Sequence, residues 1–509
     1  MDTLQDPTGS ISPIRQYRKA VNNLTRLSLA DFMRHPISWV LLSLIAVIFS
    51  ILIVKYGVLG IALIVVLTLG VPLAYTVVTF PKFGIISLLA GAYLVMFTGK
   101  FSPGAPVGIF MDSLEMLLFF GFFLKHKYDK NWSFIKSPIT IMVLIWIGYN
   151  FFEVLNPVAA SRLAWLYTIR TVAIVTLTYF LFMYHISSVA FIRLILKLWI
   201  GLSLFAALYT LKQEYFGFTD FEKNWLSDNP SASGLYFIGG HWRKFSIFSD
   251  PVALAYNMVI STLLCITLMF GNISFIKKVM LTICCAVFVM AMLYSGTRGA
   301  YILIPAGLAI IFILRLNYKT LLLGAITIIV MLFIIKVPTS NTTLIRFQSA
   351  FYPSNDASFN VRKVNQKKIQ PFIQSHPIGG GLGSTGTWGI RFSPNSYLAS
   401  FPPDSGFVRV AVETGWIGLA LLCMLLFTIL KTGISNYFKI NNPELKNYCL
   451  AMVAIVFALT IGNFPQEALV QYPINIYFYL VIALIHLTYK FDKKPQEENL
   501  HHNQLKTWT

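Results

Sequence analysis

The sequence predicts an all-α, polytopic membrane protein with about 14 transmembrane helices and two large extracytoplasmic loops. Of its 509 residues, 56% are hydrophobic and only 12% are charged, whereas soluble proteins carry about 25% charged residues. Apolar runs recur along the chain, and most approach the roughly 20 residues that cross a bilayer as a helix. Lysine and arginine concentrate in alternate short connections. So little polar surface cannot cover a water-soluble body, and a membrane protein is therefore predicted.

The predicted spans follow one another with short connections, except at two long polar segments. They are 38–54, 57–79, 83–98, 108–124, 138–155, 166–184, 190–210, 251–271, 279–294, 299–314, 320–336, 406–430, 447–463 and 472–489.

Positive charges set the predicted orientation. If the N-terminus is cytoplasmic, an even number of spans returns the C-terminus to the same side. Short inner connections then hold many cations, namely Lys125, Lys127, Lys130, Lys136, Lys277, Lys278, Arg315, Lys319, Lys431, Lys439 and Lys446. Short outer connections hold only Lys55, Lys100 and Arg162, as the positive-inside rule requires. We therefore predict that both termini are cytoplasmic.

This orientation divides the chain into seven segments. They are a cytoplasmic N-terminal arm (1–36), an N-terminal transmembrane bundle (37–210), an extracytoplasmic loop (211–250), further transmembrane helices (251–336), a large periplasmic loop (337–405), C-terminal transmembrane helices (406–489) and a cytoplasmic tail (490–509). The arm lacks the apolar core of a cleavable signal peptide.

Composition also bears on partners and cofactors. The net charge of +20 reflects cations beside spans, and no nucleic-acid-binding motif accompanies it. All five cysteines lie within predicted spans, and no metal-ligand spacing is present. We expect the lipid bilayer as a partner, no nucleic acid, no metal and no other cofactor.

The stretch SGTRG (295–299) interrupts a long hydrophobic run with Arg298. A guanidinium stays charged and is costly in hydrocarbon, and the orientation places it on the outer side. Arginine suits phosphate and pyrophosphate in bidentate geometry, while Gly296 and Gly299 allow a tight turn and a close ligand approach. The alternative is an arginine that reaches the interface and binds ordinary lipid phosphate.

A second arginine, Arg243, precedes the eighth predicted span, which Asp250 and Pro251 begin as N-cap and first-turn proline. The alternative is a solvated loop cation.

The long loop contains a pattern typical of an amphipathic helix that ends near Pro377 and could lie on the membrane surface. The glycines of 379–386 that follow are not a dinucleotide fingerprint, because no strand precedes them, and a flexible turn is predicted instead. His376 is interpreted as a loop residue, with a general base as the alternative.

The chain re-enters the membrane at Asp404, which is placed to cap the next helix. Glu413 lies within that span, where a carboxylate usually has a partner, and an arginine is the expected one.

Charged residues near the outer ends of the N-terminal spans are interpreted as structural ion pairs. They are Asp112, Glu115, Glu153 and Arg170.

Four stretches in order, RKFSIFSDPVALAYNM, LYSGTRGAYIL, SFNVRKVNQKKIQPFIQSHPIGGGLG and DSGFVRVAVETGWIGL, resemble the O-antigen ligase and O-antigen polymerase superfamily over about 241–422. The resemblance implies a metal-independent, inverting glycosyltransferase in the bacterial inner membrane, with its active site on the periplasmic face. Its donor would be a glycan linked to undecaprenyl pyrophosphate, and its other substrate a glycan acceptor. A chain-length regulator and a flippase are implied as partners.

The resemblance also assigns roles to residues of this chain. Arg243 and Arg298 would hold the pyrophosphate, with Arg362 as a third contact, and Asp404 would act as the general base unless that role lies with another residue. Apart from the resemblance, Glu413, Ser295 and His376 are further candidates for substrate binding. Ligases of the family tend to carry His-Asn where this chain has Asp404-Ser405, and this difference favours a polymerase of O-antigen, capsule or exopolysaccharide repeats.

Three alternatives remain. One is a ligase that transfers the glycan to a lipid A-core or another acceptor, and the second is a flippase or transporter for the same lipid-linked oligosaccharide. A cell-wall glycan polymerase of the shape and division class is the third, and no motif favours it.

Overall fold

The computed structural model describes residues 36–57, 68, 70–101, 107–129, 137–238, 240–352 and 357–506. The predicted N-terminal arm before Pro36 and most of the first half of the predicted span 57–79 lie outside the described residues, as do Lys130, Lys136 and the last three residues of the predicted tail.

The described part of the chain is helical apart from its loops and one two-residue hairpin. The first elements are α1 (Pro36–Tyr56), α2 (Val71–Thr79), α3 (Pro81–Phe101), α4 (Val107–Asp129), α5 (Pro138–Phe152), a 3-10 turn (Glu153–Leu155), α6 (Arg162–Ile169), a π-helical turn (Arg170–Ile174), α7 (Val175–His185), α8 (Val189–Tyr215), α9 (Asp220–Asp228), α10 (Pro230–Tyr236), β1 (Phe237–Ile238) and β2 (His241–Trp242). The two strands are antiparallel, and Phe237 lies opposite Trp242.

The remaining elements contain or flank all of the candidate site residues except Arg243, which follows β2. They are α11 (Pro251–Met269), α12 (Phe275–Tyr294), α13 (Arg298–Tyr301), α14 (Leu303–Leu314), α15 (Tyr318–Lys336), α16 (Thr342–Ser349), α17 (Ala357–Ser375), α18 (Gly386–Phe392), α19 (Gly406–Lys439), α20 (Pro443–Gly462) and α21 (Ile474–Lys506).

Ten helices among the described residues are long and apolar enough to cross a membrane, so the all-α membrane fold is confirmed. They coincide with ten of the predicted spans. The count of fourteen stays a prediction, because the other four predicted spans, at α2, α4, α13 with α14, and α15, are not among these ten helices. The predicted orientation likewise stays a prediction.

The chain forms two compact units. The first comprises Met1–Gly84 and Met116–Trp132, and the second comprises Ile85–Glu115 and Ser133–Thr509. In the described part of the first unit, a Cβ on Gly121 of α4 would lie 3.0 Å from the backbone oxygen of Val78 in α2. This close approach requires a residue without a side chain.

The second unit is built around α11, α20 and α21, whose spans are largely buried within the protein. Hydrogen bonds between buried hydroxyl groups link three helices there: Tyr93 Oη lies 2.8 Å from Ser203 Oγ, which lies 2.7 Å from Ser261 Oγ. Hydroxyl groups that satisfy one another in this way avoid the cost of burial without a partner.

The two long polar segments contain short helices. The amphipathic helix predicted before Pro377 is confirmed as α17, which ends at Ser375. One apolar side chain of α17, Ile369, is only 1% exposed and packs against Val412 of α19 and against Leu398. Two other apolar side chains of α17, Val361 and Val364, are exposed. α17 therefore packs against α19, and its predicted position on the membrane surface stays a prediction.

The glycine-rich segment after α17 turns, as predicted, but its predicted flexibility is wrong. Residues 379–385 are all buried. Gly380 N donates to Val412 O at 2.9 Å, and Ile417 N donates to Pro377 O at 3.2 Å. The segment crosses α19 so closely that only glycine fits at both sides of the crossing, Gly379 and Gly415. Gly415 has φ +71° and kinks α19 there.

Replacing Gly415 with alanine is therefore expected to lower the free energy of unfolding by about 2 kcal/mol or more. A left-handed φ costs an L-residue about 1–2 kcal/mol, and the new Cβ would collide with the carbonyl of Pro377. The measurement is thermal unfolding of the purified protein in detergent. Gly148→Ala on α5 is the matched control, because nothing lies within 4 Å of its added Cβ; equal melting temperatures for both variants would contradict the prediction.

Candidate active site

The SGTRG stretch forms a tight turn between α12 and α13. Gly296 has φ +60°, a conformation that favours glycine. Ser295 Oγ donates to Met292 O at 2.6 Å and accepts from Thr297 N at 3.2 Å. These bonds fix the turn and place Arg298 as the first residue of α13.

Arg243 binds directly to this turn. Its Nε donates to Ser295 O at 2.9 Å, and its Nη2 donates to Thr297 Oγ1 at 3.0 Å. A third bond joins Nη1 to Leu235 O at 3.3 Å. The partners are all uncharged oxygen atoms, so the positive charge stays available to an anion. The contact with Thr297 also brings Arg243 beside the residue that precedes Arg298.

A further arginine, Arg346 of α16, reaches the same turn from the other side. Its Nε donates to Gly296 O at 2.7 Å. A Cβ on Gly296 would lie 2.9 Å from Arg346 Nε and 3.3 Å from Arg243 Cγ, so the glycine allows both arginines to approach. No motif at 342–349 distinguishes Arg346 from the other cations of the long loop, so the sequence alone does not indicate this contact.

The two arginines influence each other electrostatically. Burial, followed by the positive charge of Arg346, lowers the pKa of Arg243 to about 10. Arg243 therefore remains charged at neutral pH, but in an environment that disfavours its charge. An anion between the guanidinium groups would relieve this repulsion.

Arg298 belongs to the same group of charges. Tyr301, one turn further along α13, is 1% exposed and is influenced by the charges of Arg346, Arg243 and Arg298. Its hydroxyl donates to Leu293 O at 3.2 Å. The charges of three guanidinium groups from separate segments thus act on one phenol; we call Arg243, Arg298 and Arg346 the arginine cluster.

Arg362 and Asp404 line one small pocket of about 180 Å³ together with Asn365 and Ser405. The charge of Arg362 also acts on Tyr256, whose hydroxyl would lie 3.6 Å from a Cβ on Gly299. Arg362 and Asp404 are therefore neighbours, and Tyr256 lies close to the turn that carries Arg298.

The expectation that Asp404 caps the next helix is wrong. The N-cap of α19 is Ser405, whose side chain accepts from Val408 N at 3.5 Å. Since the capping position is filled by its neighbour, the carboxylate of Asp404 is left facing the pocket that it shares with Arg362.

The position of Ser295 does not fit its expected role in substrate binding. Its side chain is fully buried, and both of its hydrogen bonds stay within the turn. Ser295 therefore shapes the turn and holds Arg243 through its carbonyl group.

His376 lies at the opposite end of α17 from Arg362. Its ring stacks on Phe372 with centroids 4.0 Å apart, and its Nδ1 lies 2.9 Å from both Ser375 Oγ and Phe372 O. Fourteen residues of helix correspond to about 20 Å. His376 is therefore separated from Arg362, and the geometry supports its interpretation as a loop residue.

Glu413 has an arginine partner, as expected, but the partner is outside the arginine cluster. Arg409 Nε lies 3.2 Å from Glu413 Oε1, and Arg409 Nη1 lies 2.5 Å from Glu467 Oε2. Thr385 Oγ1 also donates to Glu413 at 2.5 Å. The spacing of four residues between Arg409 and Glu413 is a helical ion-pair signal that is visible in the sequence.

The acidic residues near the ends of the N-terminal spans have different partners. The expected ion pair between Asp112 and Arg170 is present at 2.9 Å. Glu153 instead accepts from Asn156 Nδ2 at 2.8 Å. The carboxylate of Glu115 is buried and accepts no hydrogen bond from the described residues.

Comparison with protein families decides the class of the site. The family model described as O-antigen ligase matches residues 283–423. This segment is an O-antigen ligase domain. A search of the curated proteins finds no match.

The O-antigen ligase domain includes the SGTRG turn, Arg346, Arg362, Asp404 and Glu413, but it begins after Arg243. The long-range contacts of Arg243 with the turn therefore add a residue from outside the matched segment to the domain's own cations. The resemblance seen in the sequence is confirmed. Together with the ten helices that are long and apolar enough to cross a membrane, this match supports a membrane enzyme of the O-antigen ligase and polymerase type.

Proposed function

We propose that this protein is an integral-membrane glycosyltransferase that polymerises oligosaccharide repeats linked to undecaprenyl pyrophosphate. The product would be an O-antigen, a capsule or an exopolysaccharide. The single observation that carries the proposal is the convergence of Arg243 and Arg346 on Gly296, beside Arg298, in an O-antigen ligase domain.

The arginine cluster would bind the pyrophosphate of the donor. Guanidinium groups match phosphate oxygens in bidentate geometry. Hydrogen bonds to the turn hold Arg243 in place before the donor binds, and preorganised positive charge stabilises a leaving group without reorganisation in the transition state. The mutual repulsion within the cluster makes an anion the expected ligand.

Asp404 would act as the general base. Its carboxylate takes the proton of an acceptor hydroxyl, and the resulting oxygen attacks the anomeric carbon of the donor with inversion. The bond from that carbon to the pyrophosphate breaks, and its electron pair moves to the phosphate oxygen that the guanidinium groups neutralise. Arg362, beside Asp404 in the small pocket, would provide a further contact to phosphate.

The setting of the reaction belongs to the same proposal. We place both termini in the cytoplasm of a bacterium and the active site on the periplasmic side of the inner membrane, because the short connections follow the positive-inside rule. A flippase that supplies the outward-facing donor and a regulator of chain length are the expected partners.

A ligase is the second candidate, since the matching family is described as O-antigen ligase. Polymerase and ligase share the donor and differ in the acceptor. Asp404-Ser405, where ligases of the family tend to carry His-Asn, favours the polymerase. A flippase or transporter is not favoured by the family match.

The purified protein is expected to lengthen a lipid-linked repeat unit in vitro without added divalent metal, because the arginine cluster supplies the positive charge that the leaving pyrophosphate requires. The measurement is the distribution of glycan lengths after incubation in EDTA, with Arg243→Ala as the inactive control. Transfer to a lipid A-core acceptor alone, without elongation, would indicate the ligase; strict dependence on a divalent metal would contradict the proposed chemistry.

A further inference from the structure

The segment that precedes Arg243 exposes several large apolar side chains. They are Tyr215, Phe216, Leu235, Phe237 and Ile238, and we call these five residues the loop surface. Phe216 is 85% exposed and Leu235 is 65% exposed. Groups of exposed large apolar side chains mark surfaces that bind a partner or a membrane.

The hairpin of β1 and β2 contributes apolar side chains on both of its faces. Successive residues of a strand point to opposite faces, so Phe237 and Ile238 lie on different faces, and both are exposed. A two-stranded hairpin is at best marginally stable in water, and here water would meet an apolar side chain on either face. Insertion into the boundary of a lipid bilayer would cover both faces at once.

Two helices that are long and apolar enough to cross a membrane, α8 and α12, adjoin the loop surface. Only three of the twenty residues of α12 are buried. Its exposed apolar residues recur at spacings of three, four and seven, which place them on one side of the helix. They are Ile276, Met280, Ile283 and Met290. On α8 the exposed residues Phe205, Leu208 and Tyr215 share one side in the same way. These are therefore the sides of the two helices that face lipid.

Both lipid-facing sides end at a tyrosine. Tyr215 is the last residue of α8 and Tyr294 is the last residue of α12, and their hydroxyl oxygens lie 2.9 Å apart. Tyrosine is enriched where membrane helices reach the water interface. The pair therefore marks the level at which α8 and α12 leave the membrane, and Phe216 of the loop surface follows directly.

The same level is connected to Arg243 by backbone hydrogen bonds. Arg243 N donates to Tyr236 O at 2.8 Å, and Arg243 Nη1 donates to Leu235 O at 3.3 Å. The amide of the next residue, Lys244, donates to Tyr294 O at 3.1 Å. Arg243 is thus held between the loop surface and the tyrosine pair, so the depth of the loop surface in a membrane sets the depth of Arg243.

We propose that the loop surface inserts into the outer leaflet of the membrane and holds Arg243 at the level of the lipid phosphate groups. Its partner is the phospholipid bilayer rather than another protein, because the surface continues the lipid-facing sides of α8 and α12. Interfacial segments bind in this way, with apolar side chains below the headgroups and cations beside them. One consequence rests on the proposed function: insertion aligns the arginine cluster with the pyrophosphate of a membrane-bound donor.

The test replaces single residues of the full chain with the photoreactive amino acid p-benzoylphenylalanine, in nanodiscs of phosphatidylcholine and phosphatidylglycerol. At Phe237 we expect phospholipid adducts, detected by mass spectrometry, with a yield within about threefold of that at Ile283 on the lipid-facing side of α12. Asp220 is the matched control, because its side chain is 94% exposed on α9 of the same loop. Its adduct yield should be at least about tenfold lower, since a charged position stays in water. If the protein substituted at Phe237 melts below the wild type, Ile238 takes its place.

A kinetic experiment tests the consequence for the donor. Phe237→Ser combined with Ile238→Ser is expected to raise the KM for a long-chain lipid-linked donor in nanodiscs at least about fivefold, with kcat changed less than about twofold, because insertion positions Arg243 without taking part in the chemistry. The KM for a water-soluble donor with a short chain should stay the same. A merely structural defect would affect both donors alike.

Phospholipid adducts no more frequent at Phe237 than at Asp220, or crosslinks from Phe237 to a second copy of the chain in place of lipid, would overturn the proposal. An unchanged KM for the long-chain donor would contradict the alignment of the arginine cluster. Failure of the proposed function gives a different result. Glycan transfer that does not depend on Arg243 contradicts the glycosyltransferase mechanism but leaves the crosslinking readable, because crosslinking requires neither donor nor turnover.

Discussion

Replacing Arg243 with alanine is expected to lower glycan transfer about 10²- to 10³-fold, the usual cost of removing one preorganised donor that stabilises developing charge. Arg243 is fixed to Ser295 O and Thr297 Oγ1 before substrate binds. Arg243→Lys should lose nearly as much, because a lysine cannot make the same forked contacts. The measurement is the rate of lipid-linked repeat transfer by the purified variants at saturating donor.

The control for this prediction is an arginine of the same long loop that lies outside the cluster. Arg391 is exposed, and Arg391→Ala should change the rate less than about twofold if the effect is specific to the site. Arg346→Ala is expected to resemble Arg243→Ala, and the double variant should lose less than the product of the two single effects, because both contact the same turn and share one ligand. Full activity of Arg243→Ala at normal expression would contradict the proposed function.

Replacing Asp404 with asparagine is expected to lower transfer about 10²- to 10⁴-fold, the usual contribution of a positioned general base. Asparagine keeps the shape of the side chain but cannot take a proton. Because the arginine cluster is unchanged, donor affinity should be preserved, so kcat falls while the Kd for the donor stays the same. Equilibrium binding of a lipid pyrophosphate, measured beside the turnover rate, separates the two effects.

Asp404→His offers a sharper test of the same role. Histidine is also a general base near neutral pH, and ligases of the family tend to carry it at this position, so partial activity should return with a pH profile shifted toward that of an imidazole. Asp220→Asn is the matched control, because the side chain of Asp220 is 94% exposed on α9. Loss of donor binding in Asp404→Asn would instead indicate a structural role for this carboxylate.

The choice between a polymerase and a ligase does not depend on the arginine cluster. The donor site needs positive charge in either enzyme, and the cluster supplies it. The two enzymes differ in the acceptor, and on that side this chain has Asp404-Ser405.

The sequence by itself determined the class of the protein. Membrane spans depend on local composition, so ten of the fourteen predicted spans appear as helices of sufficient length and hydropathy. The amphipathic helix before Pro377 follows from local periodicity, and the turn around Arg298 follows from its flanking glycines. Both are encoded within short segments, and both were predicted where the structure has them.

Only the tertiary structure decided which charges meet. Arg346 is fifty residues from Gly296 along the chain and Arg243 is 52 residues from Ser295, and no local pattern specifies such pairs. The same holds for the capping of α19 by Ser405 rather than Asp404, and for the crossing of Gly379 over Gly415, which made a segment predicted to be flexible into a buried one. The physical reason is that helix formation and membrane insertion depend on nearby residues, whereas the geometry of a site depends on close packing between segments that are distant in sequence.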